Sequence, residues 1–240
     1  MLHVFLRHCF TSSASSGKGR PQGFDRRELL REFANHTASH DGIDITVFVD
    51  CFGHEGELAS GGTELASGGT EVHFAEAEAF QRGWKIQSVS RGSESRAFIS
   101  LLNHIQDLRL PPDDIIVILE DDYKVAAGWE QATKEGLELA DYLTLYDHPD
   151  KYQAQYSSLV SRLWKTQSCH WRSTPSTTNS FACRVKTLEE DIDTQRQFSS
   201  YSDVTADHYR WLELWKQGRV LISSIPAYWS HEEEGMQCKV

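Results

Sequence analysis

The chain has 240 residues, 39% of them hydrophobic and 25% charged, the composition of an ordinary folded protein and of a length that one α/β domain with a continuous core can fill. Its formal net charge of -11 at pH 7 excludes a nucleic-acid partner gripped through its phosphate backbone, which requires a basic face, but it leaves room for a nucleotide held through a bridging cation. No apolar run approaches the roughly 20 residues that cross a bilayer, so no transmembrane segment is expected.

Taken in chain order, residues 2–7 (LHVFLR) read as a first strand, with Arg7 and His8 standing where a signal peptide would keep its apolar stretch. Residues 25–33 (DRRELLREF) have an Asp cap and helical spacing of Leu29, Leu30 and Phe33. Residues 43–49 (IDITVFV) form a β-branched run, which completes a β-α-β opening. Residues 57–70 repeat ELASGGT twice, a tandem of small and turn-forming residues with no apolar face, read as a surface loop lengthened by duplication. Gly92 introduces a helix over 94–108, with Ala97, Phe98, Leu101, Leu102 and Ile105 on one face, closed by Pro111, Pro112 and Asp113. Residues 114–119 (DIIVIL) are the most strand-like of the chain, a central strand buried on both faces. A helix over 129–140 and a strand over 142–146 follow. Near the end, Tyr209, Trp211, Leu212, Leu214 and Trp215 have helical spacing, and most of them are expected to pack on the sheet. Alternation of this kind predicts one domain over residues 1–240, a three-layer α/β/α unit whose mostly parallel sheet binds ligands beyond the carboxyl ends of its strands.

The five cysteines, Cys9, Cys51, Cys169, Cys183 and Cys238, form no Cys-x-x-Cys pair. Neither a zinc site nor a disulfide framework is indicated, and a reducing, cytoplasmic compartment is expected.

The central strand ends in Glu120, Asp121 and Asp122. Three adjacent carboxylates repel one another unless cations compensate them. Alternation along the strand lets Glu120 and Asp122 face one site while Asp121 points elsewhere, and two hard oxygen ligands on one side suit Mn²⁺ or Mg²⁺ shared with substrate phosphates. The same triplet would equally serve to cap the following helix. Arg7 and Asp50 at strand ends, and Arg91 with Ser93 at a helix start where anions are favoured, stand where a nucleotide could be held. The loop HWRSTPSTTNS offers Trp171, Arg172, Thr177, Thr178 and Asn179, an aromatic face with a dense supply of donors of the kind that recognises sugars.

An apolar strand running into a D-x-D-like motif, here E-D-D in ILEDDY, resembles the signature of GT-A glycosyltransferases. The segments YLTLYDHPDKY (142–152), CHWRSTPSTTNSFA (169–182) and ELWKQGRVLISSIPAYWSHEE (213–233) are similar to a small group of compact GT-A enzymes that includes a viral domain acting on capsid glycans. The resemblance spans most of the chain apart from the duplicated loop. It implies that Asp122 ligates the metal, that Glu120, standing in place of the family's first Asp, acts on ribose or on metal-held water, and that His231 in WSHEE is a second metal ligand. It further implies a nucleotide-sugar donor, of UDP type, on Arg7, Asp50, Arg91, Ser93, Glu120 and Asp121, and a glycan or glycoprotein acceptor. An inverting enzyme would need a carboxylate base, for which Asp203 and Asp207 in YSDVTADHYRW are candidates. The C-terminal histidine leans toward a retaining course. The rival readings are a Mg²⁺-dependent nucleotidyl- or phosphotransferase, weakened by the lack of a G-x-x-x-x-G-K-[ST] loop, and a non-catalytic carbohydrate-binding relative.

Overall fold

The computed structural model describes residues 1–9, 17–37, 42–53 and 71–238. The ELASGGT tandem at 57–70 lies outside them. The opening is β1 (Leu2–Cys9), α1 (Arg26–Thr37), β2 (Ile43–Asp50), α2 (Glu71–Arg82), β3 (Lys85–Val89), α3 (Glu94–Asp107) and β4 (Ile115–Glu120). After it come β5 (Tyr123–Val125), α4 (Trp129–Gly136), β6 (Tyr142–Thr144), β7 (Leu163–Lys165), β8 (His170–Ser173) and β9 (Phe181–Arg184). The chain closes with α5 (Val185–Glu190), α6 (Ile192–Gln197), α7 (Asp207–Lys216), β10 (Leu221–Ile225) and β11 (Trp229–His231).

Nine strands form one sheet in the order β3-β2-β1-β4-β9-β6-β10-β8-β7. The first four run parallel, and β6 and β10 run parallel to each other, while β9 and β8 are inserted antiparallel. Strand alternation sorts the core into two layers. Leu2, Val4, Leu6, Val47, Val117 and Leu119 meet Leu30 and Phe33 of α1 and Trp129 and Ala132 of α4 on one face. Phe5, Phe48, Ile116 and Ile118 meet Phe98, Leu101 and Leu102 of α3, Leu188 of α5 and Trp211 and Leu214 of α7 on the other. The architecture is therefore the expected three-layer α/β/α unit with a mostly parallel central sheet. Cys169 and Cys183 lie buried in it.

Three local expectations are corrected. The helix after the acidic turn stops at Gly136 rather than at 140, because beyond it the bonds tighten to three-residue turns, Glu138 N–H donating to the Glu135 carbonyl at 3.3 Å and Leu139 N–H to that of Gly136 at 2.9 Å. Gly136 itself is packed so closely that a Cβ there would sit 2.6 Å from Leu143 Cδ2 and 2.7 Å from Trp171 Cη2. The strand expected over 142–146 ends at Thr144, Tyr146 keeping only an isolated bridge to Trp229. On α7, Trp211 and Leu214 are in the core, but Tyr209 and Trp215 are 65% and 70% exposed, since a helix of ten residues shows the sheet only one stripe. Among the described residues no helix is long and apolar enough to cross a membrane.

Candidate active site

Adjacent parallel strands bring their carboxyl ends together, and the register of β1 on β4 sets Arg7 opposite Glu120. Beyond it the Asp121 N–H donates to the Arg7 carbonyl at 3.1 Å, so the acidic triplet is pinned to the end of the first strand. The chain then leaves the large sheet as β5 and pairs antiparallel with β11, His231 opposite Tyr123. That small sheet carries a residue from the far end of the sequence to the triplet. His231 Nε2 lies 3.1 Å from Asp122 Oδ2, its ring stacked on Tyr123 at 4.7 Å between centroids.

The three carboxylates do not share one environment. Glu120 accepts from Arg7 Nη1 at 3.4 Å and from the Ser180 hydroxyl at 3.3 Å. Asp121 meets His8 Nδ1 at 2.5 Å and Arg26 Nε at 3.6 Å. Asp122 Oδ2 accepts from Lys18 Nζ at 3.2 Å and Arg20 Nη1 at 3.0 Å, besides its contact with His231. Mutual repulsion is thus relieved by giving each carboxylate its own cationic neighbours. Burial would raise the Asp122 pKa, but His231, Lys18 and Arg20 outweigh it and hold the carboxyl far below its ordinary value. For Glu120 burial prevails over Arg7, with Asp122 adding repulsion, and its pKa is raised. One member of the triplet is held ionised while another takes a proton more readily.

All three line an open cleft, together with Arg7, His8, Lys18, Arg26, Asp50, Ser93 and Glu94. Triplet geometry departs from simple alternation here, because Asp121 turns into the cleft as well. Asp50 braces the loop before α3, its carboxylate accepting from the Arg91 and Gly92 N–H groups at 2.8 and 3.0 Å. Gly92 has φ of 70° and lies against the Phe52 ring. Ser93 caps α3, its hydroxyl accepting from the Arg96 N–H at 3.3 Å.

Several expected residues take other places. The Arg91 guanidinium does not line the cleft: it donates to Ser100 Oγ at 2.7 Å and borders a shallow groove with Gln87 and Asn103. Trp171 is wholly buried, its indole N–H on Thr166 Oγ1 at 3.1 Å, so it offers no open face to a sugar. Arg172 donates to Asp147 Oδ1, at 2.9 Å from Nε and 2.5 Å from Nη2. Thr178 shares a 2.8 Å hydrogen bond with the Tyr123 hydroxyl, and Thr177 is buried. Asn179 donates to Glu94 Oε1 and Thr205 Oγ1, both at 2.6 Å, and accepts from Arg210 Nη2 at 2.7 Å. Through Thr178 and Asn179 the polar loop acts as a truss beneath the cleft, while the Thr177 hydroxyl is buried without a hydrogen-bond partner among the described residues. Asp203 is turned to solvent against Arg96 at 3.3 Å. Asp207 begins α7 half-buried, its pKa raised by burial against the pull of Arg210. Neither lines the cleft.

Sequence reasoning missed Lys18, Arg20, Arg26, His8 and Glu94. The signal available for the first three was a basic cluster, KGRPQGFDRR, conspicuous in a strongly acidic chain.

Among the described residues no group of three or more His, Cys, Asp and Glu side chains forms a ready metal cage. Asp122 and His231 nevertheless fit a divalent cation as a pair. One is a hard oxygen donor and the other an imidazole, they converge on a common cation in Lys18, and Asp122 Oδ1 is buried with no hydrogen-bond partner among the described residues.

No family model matches the chain, and no curated protein matches it. Solved structures do. S. aureus TarS in complex with UDP-GlcNAc superposes with a TM-score of 0.55 at 11% identity, over 95% of this chain and 58% of that one. A second structure of TarS gives 0.50 at 12%, over 95% and 60%. The nucleoside-diphosphate-sugar pyrophosphorylase from Vibrio cholerae RC9 gives 0.48 at 12%, over 93% and 91%. The chain thus spans less than two thirds of the TarS structures, and what the likeness to TarS establishes is the fold alone: a mixed α/β architecture on a large, mostly parallel central sheet.

Proposed function

We propose that this protein is a metal-dependent glycosyltransferase that moves a sugar from a nucleotide-sugar, of UDP type, to a hydroxyl on a glycan or glycoprotein, with retention the favoured course. The observation that carries the reading is the meeting of Asp122 and His231, 109 residues apart in sequence, at 3.1 Å beside a cleft ringed by Arg7, Lys18 and Arg26. The same cleft holds Arg7, Lys18 and Arg26 beside Glu120, Asp121 and Asp122, a mixture of charges at the carboxyl ends of the parallel strands that suits a diphosphate bridged by a cation.

Asp122 and His231 would hold Mn²⁺ or Mg²⁺, which when bound supplies Lewis-acid neutralisation of a departing diphosphate. The chain's own groups do the rest. Arg7, fixed by Glu94 at 3.1 Å, presents its guanidinium to the nucleotide. Glu120 serves the ribose hydroxyls, a role its raised pKa does not obstruct, since either protonation state bonds a hydroxyl. Asp121 orients His8 and Arg26 along the cleft wall. Asp207, the better of the two sequence candidates for a base, would reach an acceptor only at the rim, as it does not line the cleft.

The test is thermal stabilisation by UDP, UDP-sugars and ATP, each with and without Mn²⁺, because a ligand that binds only the folded state raises the melting temperature. A shift by UDP that requires Mn²⁺, and that ATP does not reproduce, is expected. Asp122→Asn should abolish the metal-dependent part and lower transfer at least ~100-fold, in line with the loss of a group that stabilises transition-state charge. Shifts by CTP or ATP equal to that by UDP would favour nucleotidyl transfer instead, and indifference to every nucleotide would end the reading. Hydrolysis of a UDP-sugar panel, with NMR of the product anomer, reads the stereochemical course.

A further inference from the structure

The segment Gly17–Arg20 is seated rather than draped over the site. Glu234 N–H donates to the Gly19 carbonyl at 3.0 Å, and a Cβ at Gly19 would lie 2.8 Å from Glu234 Oε2. Arg20 Nη1 donates to the Glu232 carbonyl at 2.8 Å and to Asp122. This seating delivers Lys18 Nζ to a point 3.2 Å from Asp122 Oδ2, 3.3 Å from His231 Nε2 and 3.6 Å from Glu233 Oε2. Asp122 and His231, the pair that fits a divalent cation, thus turn their donor atoms to one position, and in this arrangement an ammonium on the protein's own chain fills it.

We propose that Lys18 is a tethered place-holder for the divalent cation, competing with it for Asp122 and His231, so that loading the ion expels the Gly17–Arg20 segment from its seat. The inference rests on the reading that this pair is the cation site of a nucleotide-sugar enzyme, and it adds the device that sets cation affinity. The two occupants exclude each other for elementary reasons: both need the same lone pairs, and a divalent ion beside an ammonium suffers like-charge repulsion in a partly dry site. A competitor on the chain lowers apparent affinity by the fraction of molecules in which the seat is free. An ammonium freed by the incoming ion stays tethered beside the cleft, where a donor's phosphates would meet it.

Mn²⁺ titration followed by electron paramagnetic resonance tests this on the whole protein, with Lys18→Met against wild type. Lys18→Met is expected to bind Mn²⁺ about 10-fold tighter, the gain that corresponds to freeing a seat occupied about nine-tenths of the time. Arg26→Gln removes a cation from the same cleft without touching the seat, and its gain should be clearly smaller. In wild type, Mn²⁺ should speed tryptic cleavage of the Lys18–Gly19 bond, identified by mass, and Asp122→Asn should remove that acceleration. The proposal falls if Lys18→Met binds Mn²⁺ no tighter than Arg26→Gln does, if Mn²⁺ leaves the cleavage rate unchanged or slows it, or if neither wild type nor Lys18→Met binds Mn²⁺. A Mn²⁺-dependent UDP melting shift that persists through either of the first two failures leaves the glycosyltransferase reading standing, whereas absence of Mn²⁺ binding in both proteins, or loss of all nucleotide response, sinks that reading as well.

Discussion

Two ionic clusters flank the cleft, and they are built on opposite plans. Around Asp122 one buried carboxylate faces Lys18, Arg20 and His231, keeps an oxygen without a partner among the described residues, and is reached by a lysine that is a quarter exposed. Around Arg210 a wholly buried guanidinium is boxed by the rings of Phe98 at 5.1 Å, Trp211 at 5.2 Å and Phe181 at 5.8 Å, and it bonds Asn179, which in turn bonds Glu94 and Thr205. The first has surplus cation, spare acceptor capacity and an occupant that can swing out. The second has every carboxylate oxygen of Glu94 committed, to Arg7, Asn179 and the Thr205 N–H, and its two nitrogens without hydrogen-bond partners among the described residues, Arg210 Nε and Nη1, are shut among aromatic rings rather than open to a ligand. Exchangeable partners mark a place for a ligand; committed ones mark a truss that holds Arg7 and the start of α3 in position.

Arg210→Met sharpens this contrast most. Removing one member of a buried charged network leaves the others without compensation, and a loss of about 3 kcal/mol in unfolding free energy is expected, measured by urea denaturation. Mn²⁺ affinity at Asp122 should change little. The reverse pattern, a stable Arg210→Met that no longer binds Mn²⁺, would show the two clusters to be one. Asp122→Asn is the mirror experiment: a modest stability change with the metal response gone.

A smaller effect, read through pH, lies at Asp207. Its carboxyl has a raised pKa, with burial as the main cause, so the folded state holds the proton more tightly than the unfolded chain does. That contribution is fully present below the unfolded value near pH 4 and is lost as pH rises through the folded value. Asp207→Asn, which cannot ionise, should therefore gain stability relative to wild type as pH climbs above about 4. A difference that stays flat from pH 4 to 7 would mean that Asp207 is solvated, and it would remove the reason for seating it near the Arg210 truss.

The first half of the sheet was legible because β1, β2 and β4 are long apolar runs whose helices carry their own caps and stripes, as Ser93 and the Ala97–Ile105 face do. Apart from β6, expected over 142–146, strands β5 to β11 escaped notice for a physical reason. Three to five residues each, they are too short for periodicity to declare itself, and their partners are chosen by tertiary packing. The acidic triplet was readable from its position after the most buried strand. Asp122 and His231 were proposed together from a resemblance, and the fold sets them side by side. Lys18 was not readable, since nothing in GKGRPQG tells which carboxylate a loop lysine will reach. Trp171 misled because an aromatic among hydroxyls reads as a sugar platform, whereas the closeness of Gly136 makes it a core plug.

Arg91 sets the lower bound on what a mutation near the site should do. Sequence position, just before a helix N-terminus, argues for a phosphate ligand, yet its backbone N–H is spent on Asp50 and its guanidinium on Ser100 in an exposed groove. Arg91→Ala keeps the backbone donor and removes only the exposed side chain. It should shift stability by no more than about 0.5 kcal/mol, the usual range for surface substitutions, and leave the UDP response with Mn²⁺ unchanged. Loss of that response in calorimetric titration would return Arg91 to the nucleotide and overturn the inference that anion binding is confined to the cations around Glu120, Asp121 and Asp122.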